Sequence, residues 1–182
     1  FFALWPSLEV ADLLSNIAQG AALSFGGRAT RRDTIHLTLA FLGNVPEARL
    51  NDLSNAAADV LIEPFVISLD RLGFWTHNPL LGAGCQVPMS SLGLVSTQLR
   101  LALADGGFRV GGEERDFMPH VTLVRRVPEP TAPSELRPLP SIAPLRWTCD
   151  RFVLVQSTPT TRGSEYRVID NFPLAITKTS RG

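Results

Sequence analysis

The sequence HLTL at His36–Leu39 returns 84 residues later as HVTL at His120–Leu123. A chain that carries one short pattern twice, about half its length apart, is constrained towards a fold of two like units. At the same offset the helix-like stretch 7–22 falls on 91–106. Both repeats lie in branched, apolar surroundings, IHLTLAFLG and PHVTLVRRV, which predict strands. The expectation is a single unit over residues 1–182, of α+β class, built as two pseudo-symmetric lobes. Each lobe would be an antiparallel sheet with helices. Together they would enclose a central cleft with one His-x-Thr-x motif from each.

The remaining elements follow from turn signals and periodicity. FFALW (1–5) predicts a short strand, and Pro6-Ser7 a helix start. That helix runs from Leu8 to about Leu23 and ends at Gly26-Gly27. A strand is expected over 34–43, a helix from Pro46-Glu47 to about Leu61, a strand over 65–75 and another at LLGAG (80–84). In the second half a helix starts between Pro88 and Ser91, runs to about Ala104, and is stopped by Gly106-Gly107. Strands follow at 119–127, 151–157 and 166–176. The six prolines within 128–144 predict an extended connector.

Several classes are excluded. The longest apolar runs fall short of the ~20 residues a spanning helix needs, so no membrane insertion is expected. Seventeen basic and 17 acidic side chains give zero formal charge, which leaves only a local patch as a route to nucleic acid. Cys85 and Cys149 form no CxxC, so neither a disulfide framework nor a cysteine-rich zinc site is expected. A reducing cytoplasm is the simpler expectation. FFALW lacks the basic flank of a signal peptide, and the absence of an apolar stripe predicts a monomer. No G-x-S-x-G elbow, phosphate-binding loop or dinucleotide fingerprint is present. The histidines at 36, 77 and 120 lack metal-ligand spacing, so no metal or cofactor is expected.

The paired triplets are the chemical signal. Thr makes up about 7% of the chain, so two of three histidines having Thr at +2 is roughly a 1–2% coincidence. Along a strand, residues i and i+2 share a face about 7 Å apart. His36 with Thr38, and His120 with Thr122, therefore each present an imidazole and a hydroxyl to one side. Ile35, Leu37, Leu39 and Phe41 would pack behind the first strand, and Val121, Leu123 and Arg125 lie on the equivalent side of the second. Two imidazoles near neutrality can act as acid and base. Two hydroxyls can donate to phosphate oxygens, and neighbouring arginines supply charge. That inventory suits in-line displacement at phosphorus.

Three further residues are candidates for RNA or base contacts. Arg32 belongs to the GGRATRR cluster, which reads equally as a backbone-binding patch or a solvated loop. Arg126 follows the second motif. Phe41 could wall the cleft, although alternation favours the core. His77 has no Thr partner and is expected to face solvent. Trp5, Trp75 and Trp147 are expected to pack rather than stack bases.

The two motifs resemble the paired His-x-Thr-x signatures of the 2H phosphoesterase superfamily. Within it the match is to the RNA 2′,3′-cyclic phosphodiesterases, also called 2′-5′ RNA ligases. FFALWPS, FMPHVTLVRR and FVLVQS…GSEYRVIDNFPL are similar to that family's landmarks, so the likeness spans nearly the whole chain. Leu80-Leu81-Gly82 departs from the bulkier, often Trp-containing strand usual there. The resemblance implies hydrolysis of RNA 2′,3′-cyclic phosphate ends or cyclic nucleotides to 2′-phosphomonoesters, without a metal or cofactor, and in some members 2′-5′ joining. It implies His36 as proton donor to the leaving 3′-oxygen and His120 as acceptor that activates water. Thr38, Thr122 and Arg125 would hold the phosphate. Rival expectations are a phosphodiesterase for ADP-ribose cyclic phosphate or 2′-5′ oligonucleotides, and a non-catalytic module that binds RNA ends.

Overall fold

The structure, a computed structural model, describes residues 1–75, 79–111, 118–128, 138–161 and 163–175. His77, most of the proline-rich connector and the side chain of Trp75 lie outside the described residues. The class is α+β with antiparallel sheets, as expected. The strands are β1 (Phe2–Leu4), β2 (Arg28–Ala29), β3 (Leu37–Ala40), β4 (Phe65–Leu69), β5 (Arg71–Trp75), β6 (Leu80–Gly84), β7 (Val121–Arg125), β8 (Leu145–Cys149), β9 (Arg151–Thr160) and β10 (Gly163–Pro173). The α-helices are α1 (Leu8–Phe25), α2 (Leu50–Ala58) and α3 (Ser90–Asp105).

Among the described residues, eight strands run in the order β10-β9-β1-β3-β7-β6-β5, with β2 beside β7, and β4 pairs with β8 alone. The sheet falls into two sets of strands that touch at a single register position, Leu37↔Val121 between β3 and β7. Each of these residues directly follows a motif histidine. Carried one residue either way, that antiparallel register sets His36 across from Thr122 and Thr38 across from His120.

The helices form where the sequence demands. Ser7 caps α1 by accepting a hydrogen bond from the Val10 amide at 3.3 Å, satisfying one of the helix's orphan donors. Val10, Leu14, Ala18 and Ala21 then line one buried face. Leu92, Val95, Leu99 and Leu103 do the same for α3. The packing is crossed: α1, from the first half, lies on β7, while α3, from the second half, lies on β3. Each motif strand is thus backed by the other half's helix.

β1 is clamped by rings. Phe2 meets Phe152 at 6.0 Å and Phe172 at 5.8 Å, and those two stack at 4.9 Å. Such pairs contribute about 0.5–1.5 kcal/mol each beyond their buried area. They hold β1 between β3 and β9, and with it the flanking residues Phe1 and Trp5.

Several boundaries differ from expectation. Residues 65–75 are two strands, because the chain changes sheets at Asp70, whose carboxylate accepts from the Gln86 amide at 2.7 Å. The second helix begins as a 3-10 turn at Glu47–Arg49 and is α-helical only from Leu50 to Ala58. β8 is an addition to the expected strands, although Leu145, Trp147 and Cys149 alternate as buried residues. The strands expected at 151–157 and 166–176 are longer, and pair as a long hairpin between β9 and β10. No helix among the described residues is long and apolar enough to cross a membrane.

Candidate active site

The two histidines end irregular segments immediately before β3 and β7, and their rings are held alike. His36 Nδ1 lies 2.7 Å from the Thr34 carbonyl, and His120 Nδ1 lies 2.9 Å from the Met118 carbonyl. A carbonyl only accepts, so Nδ1 carries the hydrogen in both rings. The proton each imidazole can gain or lose therefore sits on Nε2. The same two-residue step back along the chain sets both tautomers.

Each motif strand then gains one extra residue. Opposite β1, the register passes from Thr38 to Ala40 in a single step, skipping Leu39. Opposite β6, it passes from Thr122 to Val124, skipping Leu123. These are equivalent positions, each directly after the motif threonine. A β-bulge of this kind reverses which face later residues take. Residue +5 from each histidine, which strict alternation sends to the core, turns into the cleft.

That inversion corrects two expectations. Phe41 is not in the core: it is 57% exposed and lies parallel to Phe1 at 6.1 Å. Arg125 is not on the packed side with Val121 and Leu123, but faces the cleft, half-buried. The carbonyls that the bulges displace from the ladder are satisfied. Leu39 O accepts from Ser96 Oγ of α3 at 3.1 Å, and Leu123 O from the Thr30 amide at 2.7 Å. Gly27 permits the second of these bonds. Its φ is +88°, and a Cβ there would stand 2.7 Å from the Arg125 carbonyl oxygen.

The result is a cleft of about 340 Å³ lined by His36, Thr38, His120, Thr122 and Arg125, with Phe41 and Tyr166 among its walls and no carboxylate among its described lining residues. His36 sits in an aromatic box. Trp5 stacks on its ring at 5.5 Å and 5°, Tyr166 meets it edge-on at 5.4 Å, and Phe1 lies at 4.9 Å. Burial lowers the His36 pKa to about 4; the Thr34 carbonyl opposes the fall, and the charges of Arg125 and His120 add to it. Burial also lowers the pKa of His120, again opposed by its backbone hydrogen bond, to Met118, and assisted by Arg125. Both imidazoles are therefore neutral at pH 7 while no anion occupies the cleft.

The other named arginines lie elsewhere. Arg32 does not line the cleft, because its guanidinium donates through Nε and Nη2 to the Asp12 carboxylate and through Nη2 to the Leu8 carbonyl. Arg126 is exposed and opens on a neighbouring cavity. Trp5, Tyr166, Ser157 and Ser164 join the site without a cue from sequence reasoning. Trp5 reads as a packing residue by default, although it stands within the strand-to-helix opening. Tyr166 is the chain's single tyrosine; its strand carries no chemical signal.

A family model described as LigT-like phosphoesterase matches residues 4–80. An RNA 2′,3′-cyclic phosphodiesterase of Escherichia coli (strain K12) is 35% identical over 130 residues, covering 71% of this chain and 72% of that protein. One from Thermus thermophilus is 31% identical over 188 aligned positions, covering 96% and 89%. The chain belongs to the LigT-like phosphoesterase family. The likeness extends to solved structures. E. coli LigT complexed with 3′-AMP superposes with a TM-score of 0.83 at 26% identity, covering 97% of each chain. The apo form of that LigT gives 0.81. This LigT-like chain is thus a hydrolase of the phosphoesterase class, and its paired motifs converge on one cleft.

Proposed function

We propose that this phosphoesterase opens RNA 2′,3′-cyclic phosphate ends to 2′-phosphomonoesters by two-histidine acid–base catalysis that needs no metal. The observation that carries the reading is the matched pair: two imidazoles with the same Nδ1–carbonyl bond, each with a threonine, around one cleft that also holds Arg125. The names of the E. coli and Thermus relatives, and the 3′-AMP bound by E. coli LigT, support the choice of substrate.

In this mechanism Thr38 and Thr122 donate hydrogen bonds to the non-bridging oxygens, and Arg125 offsets their charge. His120 Nε2 takes a proton from water as its oxygen attacks phosphorus. The P–O3′ bond breaks in line, and His36 Nε2 gives its proton to the departing 3′-oxygen. The product keeps its phosphate on the 2′-oxygen. With a 5′-hydroxyl in place of water, the same step makes a 2′-5′ linkage.

His36 must be protonated to act, and burial opposes this. A bound phosphate anion supplies the opposite charge that raises an imidazole pKa. The parallel Trp5 ring presents its electron-rich face to the resulting imidazolium.

The test is an RNA oligonucleotide ending in a 2′,3′-cyclic phosphate, incubated in excess EDTA with the wild type, His36→Ala and His120→Ala. Conversion to a 2′-phosphate by the wild type is expected. Each variant should lose about 10²–10⁴-fold in kcat/KM. Turnover within a few-fold of wild type in either variant would overturn the mechanism, and binding without turnover in the wild type would make the protein an end-binding module.

A further inference from the structure

We propose that Trp5 is a positioning residue for His36, holding the imidazole of the proton donor parallel to an indole face that attracts it once it is charged. The proposal rests on the two-histidine reading above and names the group that readies its acid.

Trp5 reaches His36 by register. β1 and β3 are antiparallel with Leu4 opposite Leu37, so one further step sets Trp5 across from His36. The backbone is fixed on both sides of it. Leu4 is buried in β1, and the buried Pro6 and the Ser7 cap of α1 follow. The two rings stack at 5.5 Å with 5° between their planes, inside the roughly 6 Å at which an aromatic face attracts a cation. Tyr166 of β10 stands nearly perpendicular to both, 5.4 Å from His36 and 6.4 Å from Trp5. The bond from Nδ1 to the Thr34 carbonyl fixes the rotation of the imidazole, which leaves Nε2 for the proton that is transferred.

The polar neighbours do not supply that attraction. Arg125 of β7, His120 just before it and the amino group of Phe1 all oppose a proton on His36. No Asp or Glu is among the described residues that line the cleft. Of the described polar groups around the ring, the Thr34 carbonyl favours the charged form, and beyond it there are the aromatic faces. The Phe1 ring is tilted by 35° against His36, so the parallel face is that of Trp5.

Trp5 acts on His36 in two opposite ways. Its bulk excludes water, which favours the neutral ring, and its face favours the charged one. In the free protein burial prevails, and the pKa of His36 is about 4. A phosphate in the cleft itself excludes water from the imidazole and brings a negative charge, so the attraction of its face is what the indole still contributes. Leu in its place would exclude water without offering a face.

The experiment follows the His36 ring by NMR as pH is varied, free and with saturating adenosine 2′-phosphate, in the wild type, Trp5→Phe and Trp5→Leu. The product should raise the pH at which His36 titrates in the wild type. That rise should be about one pH unit smaller in Trp5→Leu, the size of one desolvated cation–π contact, and nearly intact in Trp5→Phe. The limb of the kcat profile on which activity falls with rising pH should move down by the same amount. Fluorinated tryptophan, incorporated biosynthetically, keeps the shape of the indole and draws charge from its face, so it serves where Trp5→Leu does not fold. It should shrink the rise in the wild type and leave that of Trp5→Phe, which retains Trp75 and Trp147, unaltered. An equal rise in all forms, or a fall in kcat at every pH with the limb unmoved, would overturn the role of Trp5 while leaving the acid–base reading intact. Failure of the wild type to hydrolyse a cyclic end would overturn that reading, and the proposal with it.

Discussion

The two motif strands share a scaffold and differ in what it displays. Each has a histidine fixed through Nδ1 to a carbonyl two residues back, a threonine two residues on, and a bulge directly after that threonine. At the position the bulge re-aims, one carries Phe41 and the other Arg125. The first motif is set among rings, with Trp5, Phe1 and Tyr166 around His36. The second is set beside a cation. One backbone device thus serves two chemistries: an apolar shelf that suits a nucleobase, and a charge that suits phosphate.

Removing what each bulge displays is the sharpest way to break this comparison. Arg125→Ala should cost about 10²–10³-fold in kcat/KM, the scale for removing one group that stabilises developing charge. The fall should be the same for every terminal base. Phe41→Ala should cost about tenfold, within the range for one base stacked on an aromatic ring, and it should fall on KM and vary with the base. Steady-state kinetics on four oligonucleotides that differ only in the terminal base would check both. A base-dependent Arg125 effect, or a base-independent Phe41 effect, would dissolve the division of labour.

The electrostatic half of the comparison is open to titration. The free protein holds His36 at about 4 and His120 below its ordinary value. In its proposed role of proton donor, a His36 so depressed is mostly unprotonated at neutrality. The kcat/KM profile, which reports the free enzyme, should therefore peak on the acid side and decline as pH rises. The kcat profile reports the complex, in which phosphate raises both imidazoles, and should peak at higher pH. Coincident profiles, or kcat/KM flat from about pH 5 to 9, would remove the acid–base assignment.

The smallest effect concerns the bulges themselves. The displaced carbonyl of Leu39 is bonded by a side chain, Ser96 Oγ, whereas that of Leu123 is bonded by the Thr30 backbone. Only the first can be cut by substitution. Ser96→Ala should cost about 1–3 kcal/mol, because it leaves a buried carbonyl unsatisfied. Urea unfolding measures this, and an unchanged midpoint would mean that the bulge does not depend on that bond.

The histidine–threonine pairs are legible in the sequence because repetition makes a short pattern improbable by chance, and because a period of two is a direct statement about faces. The inversion that follows them is not legible. LTLAF reads as unbroken alternation, VTLVR departs from it in putting Arg125 on the apolar phase, and the extra residue is set by the partner strands and, in the first motif, by Ser96, 57 residues away. The same limit explains β4 and β5, since FVISLDRLGFW shows no local reason to change sheets at Asp70. β8 is hidden by the prolines before it, which draw Leu145–Cys149 towards the connector. For Arg32, a cluster of like charges points to a ligand, but a carboxylate one helix away, on Asp12, claims the guanidinium.

The crossed architecture has a consequence in time. Phe2 pairs with Leu154, and α1 lies against β7, so β1 waits for residues made much later in synthesis. Contacts so distant along the chain slow folding, because a long loop must close before they form. Tyr166, a wall of the cleft, is later still. A growing polypeptide therefore has no catalytic cleft until β9 and β10 have emerged, and activity should arise in one late step rather than half by half.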